Sequence, residues 1–103
     1  MIKHLTKQDN FEEEIKGKLV LIDFFATWCG PCQMLTPILA EIDKEYEDVE
    51  IYKIDVDENQ DATMRYGVTA MPTLVFFKNV KEVERQVGLL SKEALQNLIN
   101  ELR

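Results

Sequence analysis

Cys29 and Cys32 stand three residues apart with Gly30 and Pro31 between them and Trp28 just ahead. The pentapeptide follows an apolar run, Leu19 to Ala26, and precedes a stretch of helical periodicity, so it lies where a strand passes into a helix. Pro31 suits the first turn of that helix, where its missing N–H leaves no bond unmade. Cys29 then falls at or beside the N-cap, with Cys32 one turn in on the same side. The N–H groups of the first turn point at the Cys29 sulfur, and the helix dipole places partial positive charge there. Both effects favour the thiolate and lower its pKa. A thiolate attacks disulfides, and a thiol barely does. At this spacing the two sulfurs can close a small ring without moving the helix, so the pair can switch between dithiol and disulfide. Two other uses of such a pair compete. A structural zinc takes four ligands, whereas this chain offers two Cys and one distant His, His4. An inert structural disulfide over so short a loop removes little unfolded-state entropy.

Asp23 is the second residue that stands out. It interrupts a strand otherwise apolar on both faces. A buried, unpaired carboxylate is costly, so its pKa should rise and its presence should cost stability. By that logic Asp23→Ala should melt higher at neutral pH. A satisfied structural Asp is the alternative.

The elements that must position these groups follow from periodicity and breakers. Ile2 to Leu5 reads as a short strand, Thr6 as the N-cap of a helix running to about Ile15, and Gly17 as its end. Leu19 to Ala26 is apolar on both faces, as a strand buried on both sides would be. From Pro31 to Tyr46, the residues Leu35, Ile38, Leu39, Ile42 and Tyr46 form one helical face, with Pro37 inside it as a kink. Glu50 to Val56 reads as a strand and Asn59 to Tyr66 as a shorter helix. Thr73 to Phe77 and Glu82 to Val87 are joined too closely for anything but an antiparallel hairpin. Ser91 caps a last helix with Leu95, Leu98, Ile99 and Leu102 on one face. The order is βαβαβαββα. Strands separated by helices should run parallel with right-handed crossovers. The expected fold is a mixed sheet of about five strands with helices on both faces.

The chain has 103 residues, which makes a single domain over 1–103. At 46% hydrophobic and 30% charged, its composition is that of a globular protein. Its net charge of -7 argues against nucleic acid or an anionic membrane as partner, since both need a basic surface. It also favours a soluble monomer. Two cysteines do not make a secreted disulfide framework. Charges recur through the first twenty residues where a signal peptide would need an apolar core, and the expected location is the cytoplasm. The run Glu12 to Glu14 reads as a solvated helix face, and His4 as a surface residue outside the chemistry.

The sequence resembles the thioredoxin family. The run Ala26-Thr27-Trp28-Cys29-Gly30-Pro31-Cys32 carries the likeness, together with Asp23 ahead of it, Pro37 within the helix, Met71-Pro72-Thr73 entering a late strand and Gly88 after the last strand. It covers nearly the whole chain without an insertion. The resemblance implies the α/β thioredoxin fold, a mixed five-stranded sheet flanked by four helices. It implies a protein disulfide reductase and electron carrier of cell redox homeostasis whose redox-active centre is the Cys29–Cys32 pair, with no metal and no bound organic cofactor. It places Asp23 behind the pair as proton acceptor for Cys32 and pairs Lys53 with it, although an ordinary solvated lysine is the other reading of Lys53. Gly30 and Pro31 support the cysteines. Pro72 should be cis and pack beside them, leaving the Met71 backbone to pair with a substrate chain as an added strand would. Trp28, Met71, Pro72 and Gly88 become the substrate surface, Gly88 because a side chain there would crowd the Cys pair. Trp28 has core packing as its alternative, and Gly67 and Gly88 both read as turn glycines.

The implied partners are an NADPH-dependent thioredoxin reductase as electron source and clients such as ribonucleotide reductase, peroxiredoxin and methionine sulfoxide reductase. Three residues depart from the family pattern: Phe25 where Trp is common, Gln33 where Lys is common, and Val80 in the hairpin turn where Asn-Gly is expected. An oxidase or isomerase on the same fold, and a binding module with an incidental Cys pair, are the rival functions.

Overall fold

The computed structural model describes residues 2–17 and 19–103. The elements are β1 (Ile2–His4), α1 (Phe11–Glu14), β2 (Leu19–Phe25), α2 (Gly30–Glu45), β3 (Val49–Asp55), α3 (Gln60–Arg65), β4 (Thr73–Lys78), β5 (Lys81–Val87) and α4 (Lys92–Leu102). They form one five-stranded sheet in the order β1-β3-β2-β4-β5. β1 and β2 run parallel to β3, while β4 is antiparallel to both β2 and β5.

The central strand β2 is buried on both faces, as its unbroken apolar run requires. Leu19 and Leu21 face one core, where Leu35, Leu39 and Ile42 of α2 meet Leu95 and Ile99 of α4. Val20, Ile22 and Phe24 face the other, with Ile15, Ala62 of α3 and Phe77. Alternation along β2 therefore puts Asp23 on the α2 side.

Two expectations need correction. The first helix is a single turn capped by Asn10, whose side chain accepts from the Glu13 N–H, and it ends at Glu14, short of Gly17. Thr6 does not cap it. The Thr6 N–H and hydroxyl both donate to the Asp9 carboxylate, at 2.8 and 3.2 Å, and this local turn outcompetes an earlier helix start. The rule that helix-linked strands are parallel fails at β4. α3 has six residues and spans about 9 Å, far less than the roughly 23 Å of β3, so it cannot carry the chain back to the starting edge. The chain re-enters at the same end, with Thr73 beside Phe24. The acidic run of α1 is the solvated face expected, with Glu12 paired to Arg65, Glu13 to Lys16 and Glu14 to Lys3.

The β4–β5 turn is closed by Asn79 and Val80, both with positive φ, 54° and 69°. That is the turn which suits the twist of a hairpin and favours Asn-Gly. Val80 holds the glycine position with a branched side chain, which stores strain. β5 also carries a bulge, since Phe76 pairs with Glu84 and Phe77 with Glu82, leaving Val83 as the extra residue.

Candidate functional site

The site forms where β2 ends and α2 begins. Cys29 is the N-cap of α2, with extended backbone, and Pro31 occupies the first turn. The Cys32 N–H donates to the Cys29 sulfur at 3.3 Å. A capping hydroxyl or carboxylate is thus replaced by sulfur, which receives the first-turn N–H and the positive end of the dipole. The two sulfurs are joined in a disulfide, with Cα atoms 5.3 Å apart. Both cysteines are buried, Cys29 at 6% exposure and Cys32 at 2%. Gln33, on the next residue of the helix, donates from its amide to the Thr27 carbonyl and ties down the loop that leads into the pair.

The loop before β4 supplies the facing wall. The Met71–Pro72 peptide bond is cis, and the Met71 carbonyl oxygen lies 3.6 Å from the Cys29 sulfur. The Gly88 N–H donates to the Pro72 carbonyl at 2.8 Å, so the end of β5 closes onto the same loop. Thr73 is buried and donates its hydroxyl to Ala70. Gly88 has φ +98°, and a Cβ there would meet no heavy atom within 4 Å. Backbone conformation, rather than crowding of the Cys pair, is what requires glycine at 88. Gly67 also has positive φ, as a turn glycine should. A Cβ at Gly30 would likewise meet nothing within 4 Å.

Trp28 is 68% exposed, which excludes the core-packing reading. Its indole N–H donates to Asp57 at 3.0 Å, and the Asp57 N–H in turn bonds to Asp55 at 2.9 Å. Sequence reasoning did not single out Asp57. The parallel pairing of β2 with β3, Phe25 beside Asp55, puts the residues that follow both strands at one edge and is the signal that would have found it.

Asp23 and Lys53 are register partners on β2 and β3, and both are buried. The solvated-lysine reading of Lys53 is therefore excluded. Its Nζ lies 3.9 Å from Asp23 Oδ2 and 4.6 Å from the centre of the Phe25 ring. Neither Asp23 oxygen has a hydrogen-bond partner among the described residues. Burial raises the Asp23 pKa to about 7, with Lys53 pulling the other way. Lys53 also donates to the Thr36 hydroxyl at 3.2 Å, and that hydroxyl donates to the Cys32 carbonyl at 3.3 Å. Thr36 is a second residue that sequence reasoning passed over, although it sits one helical turn from Cys32. His4 is exposed and packs edge-on against Phe25, with ring centroids 5.8 Å apart. Among the described residues no three His, Cys, Asp or Glu side chains converge as a metal would need.

A closed two-cysteine ring at a helix N-terminus, on a mixed sheet, is built for reversible electron-pair exchange between sulfurs. The protein is a thiol–disulfide oxidoreductase. Residues 2–101 match the thioredoxin family model. The chain is 51% identical to the thioredoxin of Chlamydia pneumoniae, over 97% of each chain. It is 50% identical to that of Bacillus subtilis strain 168, over 88% of each. Among solved structures, a mutant thioredoxin from Halobacterium salinarum NRC-1 superposes with a TM-score of 0.91 at 40% identity, covering 98% of this chain and 89% of that one. The chain belongs to the thioredoxin family. No helix among the described residues is long and apolar enough to cross a membrane.

Proposed function

We propose that the protein works in the reducing direction, as a single-domain monomer of the cytoplasm that turns client disulfides into dithiols. The reduced protein docks an oxidised client against Trp28, Met71, Pro72 and Gly88, and the client strand pairs with the Met71 backbone. The Cys29 thiolate attacks one client sulfur. The client disulfide breaks, a mixed disulfide forms, and the departing client sulfur takes up a proton. Asp23, through an intervening water, then accepts the Cys32 proton. The Cys32 thiolate attacks the Cys29 sulfur, releases the second client thiolate and leaves the Cys29–Cys32 bond. Lys53 tunes the basicity of Asp23, while Gly30 and Pro31 shape the first turn.

The observation that carries this reading is the Cys32 N–H on the Cys29 sulfur. That bond stabilises the attacking thiolate, and it belongs to the better exposed of the two cysteines. The family implies disulfide-bearing clients and a reductase in general terms. An NADPH-dependent thioredoxin reductase as electron source, and ribonucleotide reductase, peroxiredoxin and methionine sulfoxide reductase as clients, are the specific partners we infer. The Cys29–Cys32 pair carries the electrons, so the cycle needs no bound organic cofactor or metal. The test is dithiothreitol-driven reduction of insulin. The wild type should accelerate it and Cys29→Ser should not, while Cys32→Ser should trap clients as mixed disulfides. A fully active Cys29→Ser would overturn the scheme. A reduction potential well above the cytosolic glutathione poise would reassign the protein to the oxidising direction.

A further inference from the structure

The Thr36 hydroxyl is used twice. It donates to the Cys32 carbonyl at 3.3 Å and accepts from the Lys53 ammonium at 3.2 Å. Lys53 is buried, and an ammonium withdrawn from water needs acceptors. The strongest one nearby is the Asp23 carboxylate, of opposite charge and with both oxygens unpartnered among the described residues. Yet the ammonium stands within hydrogen-bond distance of the neutral hydroxyl and 3.9 Å from the carboxylate.

We propose that Thr36 is a positioning residue for the resolving half of the reaction. Its hydroxyl tethers Lys53 to the helix turn that bears Cys32 and so holds the ammonium off the Asp23 carboxylate. The inference rests on the reading of Asp23 as the acceptor of the Cys32 proton. A carboxylate in full contact with an ammonium is a weaker base, so the spacing set by Thr36 keeps Asp23 competent. The other groups around the pair come from each neighbouring element. β1 brings His4, the register partner of Lys53, α2 brings the Thr36 hydroxyl, and β4 sets uncharged Leu74 beside Asp23. Thr36 reaches this set through Lys53 and the Cys32 backbone.

The experiment compares wild type, Thr36→Ala and Thr36→Ser. The Asp23 carboxyl is titrated by carbon NMR in the oxidised protein, where the cysteines do not ionise, and the pH profile of insulin reduction is recorded alongside. Thr36 is exposed and Ala is the better helix former, so the Ala variant keeps its fold. In Thr36→Ala the ammonium closes on Asp23, and the carboxyl midpoint falls by about one pH unit. The rising limb of turnover moves down with it, and Thr36→Ser restores both. A midpoint that stays or rises in Thr36→Ala overturns the proposal and leaves the role of Asp23 standing. A midpoint that falls while the turnover profile stays put overturns the proton-acceptor reading instead and upholds the hold of Thr36 on Lys53.

Discussion

Lys53 Nζ and Asp23 Oδ2 lie 3.9 Å apart on neighbouring parallel strands, a buried pair of opposite charges held just beyond hydrogen-bond contact. Burial dominates the attraction, and the Asp23 pKa rises to about 7 rather than falling. In the proposed mechanism this gives the site a base that changes state near neutral pH, and the fold should be less stable for it.

That loss of stability has a sign and a pH window. The folded pKa of about 7 lies above the unfolded carboxyl value near 4, so folding favours the protonated form. The Asp23 contribution to stability falls as pH rises from about 4 to about 7 and is flat above. Asp23→Ala removes this penalty and should raise stability at pH 7 by something on the order of 3 kcal/mol while slowing turnover. The gain should fade as pH drops toward 4. Denaturant melts across that range decide it, and a variant less stable than wild type at pH 7 would count against the account.

The hairpin turn offers an independent gain. Val80 sits at φ 69°. Val80→Gly relieves a left-handed branched residue and should stabilise the protein by about 1 kcal/mol, net of the extra freedom of glycine in the unfolded chain. The melting temperature should rise by roughly 4 °C or more. The turn is at the far end of β4 from Cys29, so insulin reduction should be unchanged. A lower melting temperature would show that the turn is unstrained.

Trp28 is the chain's one tryptophan, and its indole is held by Asp57. Asp57→Ala should free the ring, lowering the steady-state anisotropy of its fluorescence. In the proposed mechanism Trp28 is part of the client-docking surface, so with its anchor lost KM for a protein disulfide should rise several-fold with kcat largely retained. The bond is solvent-exposed and worth about 1 kcal/mol, which sets that scale. Unchanged anisotropy would mean that packing alone fixes the ring.

Much of this was legible in the sequence, because it rests on local rules. The strand–helix order, the capping position of Cys29 and the burial of Asp23 follow from periodicity, proline placement and one carboxylate in an apolar strand. The mismatch at Val80 was also readable as a residue ill-suited to its turn. What escaped depends on competition or on distance. Thr6 would cap a helix if Asp9 did not claim it, and β4 would run parallel if α3 were longer. Thr36 and Asp57 act on residues seventeen and twenty-nine positions away. Their partners appear only once β2 and β3 are paired and α2 is laid across them. Gly88 was legible as a turn glycine, as its φ of +98° requires, whereas the crowding of the Cys pair implied by the resemblance fails because a Cβ there meets nothing within 4 Å.

The central claim is that the sulfur capping α2 is an anion when the protein is reduced and at work. The direct measurement is the ultraviolet absorbance of the thiolate in reduced Cys32→Ser protein, titrated with pH, so that Cys29 alone is seen. The midpoint should lie well below the value of about 8.5 for free cysteine, with the absorbance step abolished by Cys29→Ser. A midpoint at or above that of free cysteine would contradict the claim.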